Sequence, residues 1–295
     1  MKPIYKIMFF ISISLVVLAV AATVIFGLNL SADFKGGTLM EVQFVGPEAP
    51  NISELQDFVK ESPETSNAVI SPSGAGSFIF RLKEIDEDVH QKIINNLKLK
   101  FTNLEEKRFD SVGAVVGGEL KSRSVTAIVL VLVFIVLYIA FVFRKLYSTL
   151  SSFTMGVAAI VALLHDVLIP MGIFALLGRY YGIEITAVFV AAVLTILGYS
   201  VSDTVVVFDR IRENVTRFGG KNNFGQLVHD SVLQTLTRSL NTTITTLLSL
   251  VAIYFFGGES IKYFSLALII GIFLGAYSSI FVASPIVVWW SKKVN

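Results

Sequence analysis

The chain has 295 residues, 54% of them hydrophobic and only 16% charged, with a net charge of +2 and no cysteine. Its mean hydropathy is +0.73. A soluble globular protein carries about 25% charge, so a membrane protein with several spans is expected. Without cysteine there is no disulfide, thiolate metal site or cysteine nucleophile. Scattered Lys and Arg argue against a nucleic-acid partner, and three histidines with no pair at short ligand spacing argue against a metal.

A helical span needs about 20 apolar residues. Six segments qualify, at roughly 7–28, 125–143, 153–177, 183–208, 240–257 and 263–290. The first follows Lys2 and Lys6 and contains Ala19-Val20-Ala21, as a signal peptide would. Its apolar run, however, is about twice the usual h-region, so an uncleaved anchor is expected.

Residues 29–124 read as a soluble domain. Met40, Val42 and Phe44 alternate with Glu41 and Gln43, a strand with one buried face. Ile52, Leu55, Phe58 and Val59 follow at helical spacing behind Asn51 and Glu54, which resemble a capping pair. A short apolar run, Ala68–Ile70, meets a Pro-Ser-Gly turn, and Phe78, Phe80 and Leu82 alternate as a further strand. Val89, Ile93, Leu97 and Phe101 form a second helix, opened by Asp86, Glu87 and Asp88, which suit its N-terminal dipole. A weaker strand covers about 104–112. The order βαββαβ predicts a ferredoxin-like α+β sandwich. The domain holds 11 basic and 15 acidic residues, with no catalytic cluster. Val112–Leu120, rich in Gly, reads as a hinge leading to the membrane.

Short-loop charge sets orientation. Lys2, Lys6, Arg144, Lys145, Arg210, Arg212, Arg217, Lys221, Lys292 and Lys293 fall on one side, against Arg179 and Lys262 on the other. Both termini are therefore expected in the cytoplasm and residues 29–124 outside it. Residues 125–295 form a five-helix bundle with a cytoplasmic loop over 209–237. Within that loop Phe224, Leu227, Val228, Val232 and Leu236 suggest an amphipathic helix along the inner face. Gly271, Gly275, Ser279 and Ala283 on the last span, and Ala187, Ala191, Thr195, Gly198 and Ser202 on the fourth, make small-residue ridges for close helix packing.

An ionisable residue inside a span costs about 2.5–3.5 kcal/mol on insertion scales and points to function. His165 and Asp166 lie midway along the third span, Asp203 lies towards the cytoplasmic end of the fourth, and Arg238 opens the fifth. Asp203 and Arg238 fall at one depth on successive helices. Thr242, Thr245 and Ser249 continue from Arg238 as one polar stripe. Two readings of the Asp203 and Arg238 pair stand side by side: a buried ion pair or snorkelling arginine, and a titrating carboxylate whose proton affinity the cation modulates. His165-Asp166 reads as a hydrogen-bonding device between helices or as a relay. Asp209, Arg210, Arg212 and Glu213 read as charge anchoring with local pairing. There is no GxxxxGK[ST], so nucleotide hydrolysis is unsupported. An ion gradient is the expected energy source.

The motifs then add up to a resemblance. Asp33-Phe34-Lys35-Gly36-Gly37-Thr38 follows the first span, and Val112-Gly113 through Gly118-Glu119-Leu120 precedes the second. His165-Asp166 lies in the third span. Gly198-Tyr199-Ser200 leads to Ser202-Asp203-Thr204 and on to Asp209-Arg210-Ile211-Arg212-Glu213-Asn214. Thr237-Arg238-Ser239, Phe256-Gly257-Gly258 and Gly275-Ala276-Tyr277-Ser278-Ser279 complete the set. Over almost its whole length the chain resembles the SecF branch of the SecD/SecF family, within the RND superfamily.

The resemblance implies a six-span subunit of the bacterial cytoplasmic (inner) membrane that pairs with SecD. It implies use of the proton-motive force to assist protein translocation by SecYEG with SecA. YajC, YidC, translocating preproteins and membrane lipids are the further partners implied. No cofactor or enzymatic reaction is expected. The resemblance puts Asp203 and Arg238 in a proton path that a SecD carboxylate completes. His165, Asp166, Thr242, Thr245, Ser200 and Ser202 are secondary polar sites, and Asp33, Gly36, Gly37, Asp209, Arg210, Arg212, Glu213 and Asn214 carry the family motifs. Proton is the expected ion, with Na⁺ open through oxygens of Ser200, Ser202 or Thr242. The rival readings are a gradient-driven solute permease and a passive translocon scaffold.

Overall fold

The computed structural model describes residues 2–46, 49–61, 64–65, 68–74, 76–101, 103–143, 152–218 and 224–291. Arg144, Lys145, Lys221, Lys292 and Lys293, which enter the orientation argument, lie outside the described residues. Two compact units form, one from residues 30–124 and one from residues 1–29 with 125–295.

The first unit opens with a short helix, α2 (Ala32–Lys35), and continues through β1 (Gly37–Phe44), α3 (Ile52–Glu61), β2 (Val69–Gly74), β3 (Ser77–Leu82), α4 (Glu87–Lys100) and β4 (Leu104–Val112). The strands lie in the order β2-β3-β1-β4, and every neighbouring pair is antiparallel. This is the ferredoxin-like sandwich that the alternating pattern predicts. Alternation decides which face is buried: Met40, Val42, Phe78 and Phe80 meet Leu55, Phe58, Ile93 and Leu97 from the two helices. Asn51 Oδ1 accepts from the Glu54 backbone N–H, and Glu54 returns the bond to Asn51 N–H, both at 3.0 Å. That is the reciprocal cap expected for α3. Asp86 caps α4 by accepting from Val89 N–H at 2.9 Å.

His90 is buried on α4, stacked on Phe109 and flanked by Glu87 and Glu106. Hydrogen bonds from Gln91 and then His90 hold the Glu87 carboxyl below its usual range. Gly36 has φ 75, and a Cβ there would stand 2.6 Å from Ala114 Cα. Gly37 has φ 129, and a Cβ there would stand 2.9 Å from the Leu82 carbonyl oxygen. Both the backbone angle and the approach exclude a side chain at this pair.

The second unit holds helices long and apolar enough to cross a membrane, six in all with α5 among the described residues. They are α1 (Pro3–Phe26), α5 (Ala114–Val142), α6 (Ser152–Tyr181), α7 (Ala187–Phe218), α8 (Phe224–Phe256) and a last span built in three parts. Those parts are α9 (Glu259–Ser278), a π turn (Ser279–Ala283) and α10 (Ser284–Ser291). The segment expected as a hinge is instead helical from Ala114, so α5 starts immediately after β4. The amphipathic segment at 224–236 is also helical, but it is the first part of α8 rather than a separate surface helix. At 33 residues α8 is about 50 Å long. The hydrocarbon layer is about 30 Å thick, so α8 runs well beyond it.

The core lies where α6, α7, α8 and the last span converge, around Met155, Ala159, Phe208, Ile211, Val232 and Val287. The ridge on the last span packs as expected: a Cβ on Gly271 would meet Ile196 at 2.2 Å, and one on Gly275 would meet Ser200 at 3.2 Å. The ridge on α7 does not serve that contact. Its buried face carries Ile196, Ser200 and Asp203, while Ala191, Thr195, Gly198 and Ser202 are exposed in this chain.

Candidate functional site

Asp203 lies 8% exposed near the middle of α7. Arg238 lies well inside α8, not at its start. They line one cavity of about 160 Å³ with Tyr199, Ser202, Val206 and Thr242. The antiparallel run of α7 and α8 brings them together, as the shared depth predicts. Among the described residues, no ion pair within 4.0 Å joins Arg238 to Asp203. Both side chains border the same cavity. Asp203 Oδ2 instead accepts from Ser279 Oγ at 2.7 Å.

Asp166 is completely buried and His165 nearly so. His165 Nδ1 meets Asp166 Oδ1 at 2.8 Å. Ser200 Oγ donates to Asp166 Oδ2 at 2.5 Å, and Ser278 Oγ donates to the same oxygen at 2.6 Å. Asp166 therefore knots α6, α7 and α9 together. Ser200 precedes Asp203 by one turn, so the two carboxylates are offset by about one turn along α7. The His165 ring stacks on Tyr277, whose hydroxyl donates to the Met8 carbonyl at 2.8 Å and accepts from Ser12 at 3.1 Å. His165 Nε2, Thr204 Oγ1 and Ser239 Oγ are buried without a hydrogen-bond partner among the described residues.

The remaining sequence-derived residues fall into three places. Thr242, Thr245 and Ser249 are exposed along α8, and their hydroxyls donate to carbonyls of the preceding turn, Arg238, Asn241 and Thr245. The stripe is satisfied within its own helix. Beyond the cavity, Asp209 pairs with Arg212 at 2.6 Å and Arg210 with Glu213 at 2.5 Å. Arg210 and Asn214 both donate to Gln234 Oε1, and Asn214 donates to Ser231 as well. This segment therefore also clamps α7 to α8. Asp33 and the Gly36-Gly37 pair belong to the other unit, at the start of its sheet. Among the described residues no cluster of three His, Asp or Glu is arranged to hold a metal.

Sequence reasoning passed over Ser278 and Ser279 as donors. It placed Ser279 in a packing ridge, where a hydroxyl among Gly and Ala was the available signal. Tyr199 and Val206 as cavity walls, and the Tyr5 hydroxyl bonded to His229 Nδ1 at 2.8 Å, depend on three-dimensional packing alone.

A family model for protein export membrane protein SecD/SecF, C-terminal, matches residues 92–293, and one for the SecD/SecF GG motif matches residues 21–48. The chain belongs to the SecD/SecF family. Gly36-Gly37 lies in the GG-motif match, and His165, Asp166, Ser200, Ser202, Asp203, Arg238, Thr242 and Thr245 lie in the C-terminal match. Protein translocase subunit SecF of Thermobaculum terrenum is 44% identical, covering 97% of this chain and 92% of that one. The subunit of the same name from Anaerolinea thermophila is 37% identical, covering 96% and 91%. The crystal structure of SecDF from Thermus thermophilus, a translocon-associated membrane protein, matches with a TM-score of 0.85 at 34% identity. A structure of SecDF in a super-membrane-facing form matches with a TM-score of 0.69 at 33% identity. Each match covers 98% of this chain, which spans 38% of the SecDF chain. Within the SecD/SecF family the chain is thus of the SecF type, a protein translocase subunit that takes part in protein transport.

Proposed function

We propose that this subunit pairs with SecD in the bacterial cytoplasmic membrane and uses the proton-motive force to assist protein translocation through SecYEG with SecA. Its termini then lie in the cytoplasm and residues 29–124 outside. The observation that carries the reading is the cavity that holds Asp203 and Arg238 together but unpaired. A carboxylate in low dielectric favours its neutral form, and a nearby guanidinium favours the charged one. A change in their separation therefore changes proton affinity. Arginine does not release its own proton, so Arg238 acts as a fixed charge and Asp203 as the carrier. One charge crossing the membrane is worth about 2.3 kcal/mol per 100 mV, so several per cycle suffice to move an external domain against a modest load.

The pairing with SecD rests on the face beside the cavity. Ala191, Thr195, Gly198 and Ser202 of α7 and Arg238, Thr242 and Thr245 of α8 are exposed in this chain. Small and polar residues suit a neighbouring helix better than lipid, and a carboxylate from that helix would complete the path.

The deciding experiment reconstitutes the chain with SecD and the translocon in proteoliposomes. Asp203→Asn is expected to insert and to co-purify with SecD, yet to lose gradient-driven stimulation of export down to the level without a gradient. Full stimulation in this variant removes the proposed role and leaves a scaffold. Solute efflux without any effect on export would instead favour a permease.

A further inference from the structure

Ser278 and Ser279 are adjacent in sequence, yet their hydroxyls serve carboxylates on two different helices. Ser279 donates to Asp203 of α7 at 2.7 Å, and Ser278 donates to Asp166 of α6 at 2.6 Å. Both serines are fully buried. They sit where α9 widens into the π turn Ser279–Ala283. The sequence explains the widening: Pro285 has no N–H for the preceding turn, and its ring crowds the carbonyl four residues back. Ser284 Oγ donates to the Ser279 carbonyl at 2.8 Å and supports the turn. Single π turns inside helices recur at functional sites.

Each serine also has a second acceptor within reach. Ser279 Oγ lies 3.0 Å from the Ala276 carbonyl, and Ser278 Oγ lies 3.2 Å from the Gly275 carbonyl. A charged carboxylate is the stronger acceptor. A protonated one brings its own O–H and weakens the claim on the hydroxyl. Every serine therefore has two settings, one bonded to a carboxylate and one bonded to its own helix.

We propose that Ser278–Ser279 is a coupling element: it links the charge state of Asp203 to the Asp166 knot and so carries a protonation event from α7 through the π turn to α6. This rests on the reading of Asp203 as the proton carrier. Arg238 of α8 and Tyr199 of α7 share the cavity with Asp203. Asp166 and His165 of α6 are reached through Ser278 and through Ser200 of α7. Tyr277 of α9 stacks on that histidine. Ser278 and Ser279 are positioning residues and carry no proton across the membrane.

The test is infrared difference spectroscopy against pH on the complete chain with SecD in lipid. The protonated-carboxyl band of Asp203 is assigned by its disappearance in Asp203→Asn. Ser279→Ala removes the donor to the charged carboxylate and is expected to displace the pH profile of that band by about one pH unit, the equivalent of one charge-assisted hydrogen bond. Ser279→Thr, which keeps the hydroxyl, restores the profile. Ser278→Ala touches only Asp166, yet is expected to displace the Asp203 profile as well. Three results overturn the proposal: an unmoved Asp203 profile in Ser279→Ala, an unmoved profile in Ser278→Ala, or no Asp203 band at any pH. The spectra do not depend on translocation. If Asp203→Asn retains full stimulated export, the functional reading fails while the coupling between the carboxylates is still read directly.

Discussion

On the proposed function, Arg238 acts on Asp203 without a bond to it. It shares a cavity with Asp203 but forms no ion pair with it among the described residues. Under the proposed function its influence on Asp203 is Coulombic, falling with distance and with the dielectric between them. Arg238→Lys keeps the charge and loses the planar fork. It is expected to retain part of the gradient-driven stimulation, whereas Arg238→Gln falls by tenfold or more; export assays in proteoliposomes with SecD distinguish the two. Equal loss in both variants would mean that guanidinium geometry, rather than charge, is what the cavity needs.

At the scale of elements, helix contacts depend on a few positions with no room to spare. α1 crosses α6 at Gly172, where an added Cβ would lie 2.4 Å from Ala19 Cα. That neighbour is backbone and does not yield easily. Gly172→Ala is expected to destabilise the bundle by about 1–3 kcal/mol. Gly156→Ala on the same helix meets nothing within 4 Å and serves as the control, with thermal unfolding in detergent as the measurement.

The elements themselves were largely legible. Alternation at Met40–Phe44 and Phe78–Leu82 identified strands because one sheet face is dry, and long apolar runs identified spans because lipid demands them. Ridge partners were not legible. Gly271 and Gly275 do meet α7, but they meet Ile196 and Ser200 rather than Thr195, Gly198 or Ser202 of its small-residue ridge. Composition gives a helix its small side chains without saying which neighbour they face. The shared level of Asp203 and Arg238 was readable from helix counting. The serine donors were not, because a buried hydroxyl in a packing ridge looks like another small residue until the fold supplies a carboxylate opposite it.

At the scale of the whole molecule, what this chain leaves uncovered is as informative as what it buries. α5 buries few of its residues, and Ala191, Thr195, Gly198 and Ser202 of the α7 ridge are exposed. A Cβ on Gly198 would meet nothing in this chain. Gly198→Leu is therefore expected to leave the thermal stability of the isolated subunit within about 0.5 kcal/mol of the parent while sharply reducing recovery of SecD in co-purification. Unchanged recovery would move the partner to another face. The π turn has a consequence for the same surfaces. Each residue turns an α-helix by about 100°, so the extra residue in Ser279–Ala283 rotates one half of the last span against the other. α9 packs chiefly on α7 and α8, while α10 packs on α6 and α8. Deleting a single residue there would straighten the span into one continuous helix and force one half to present the wrong face, so this short segment keeps the register between the two ends of the bundle.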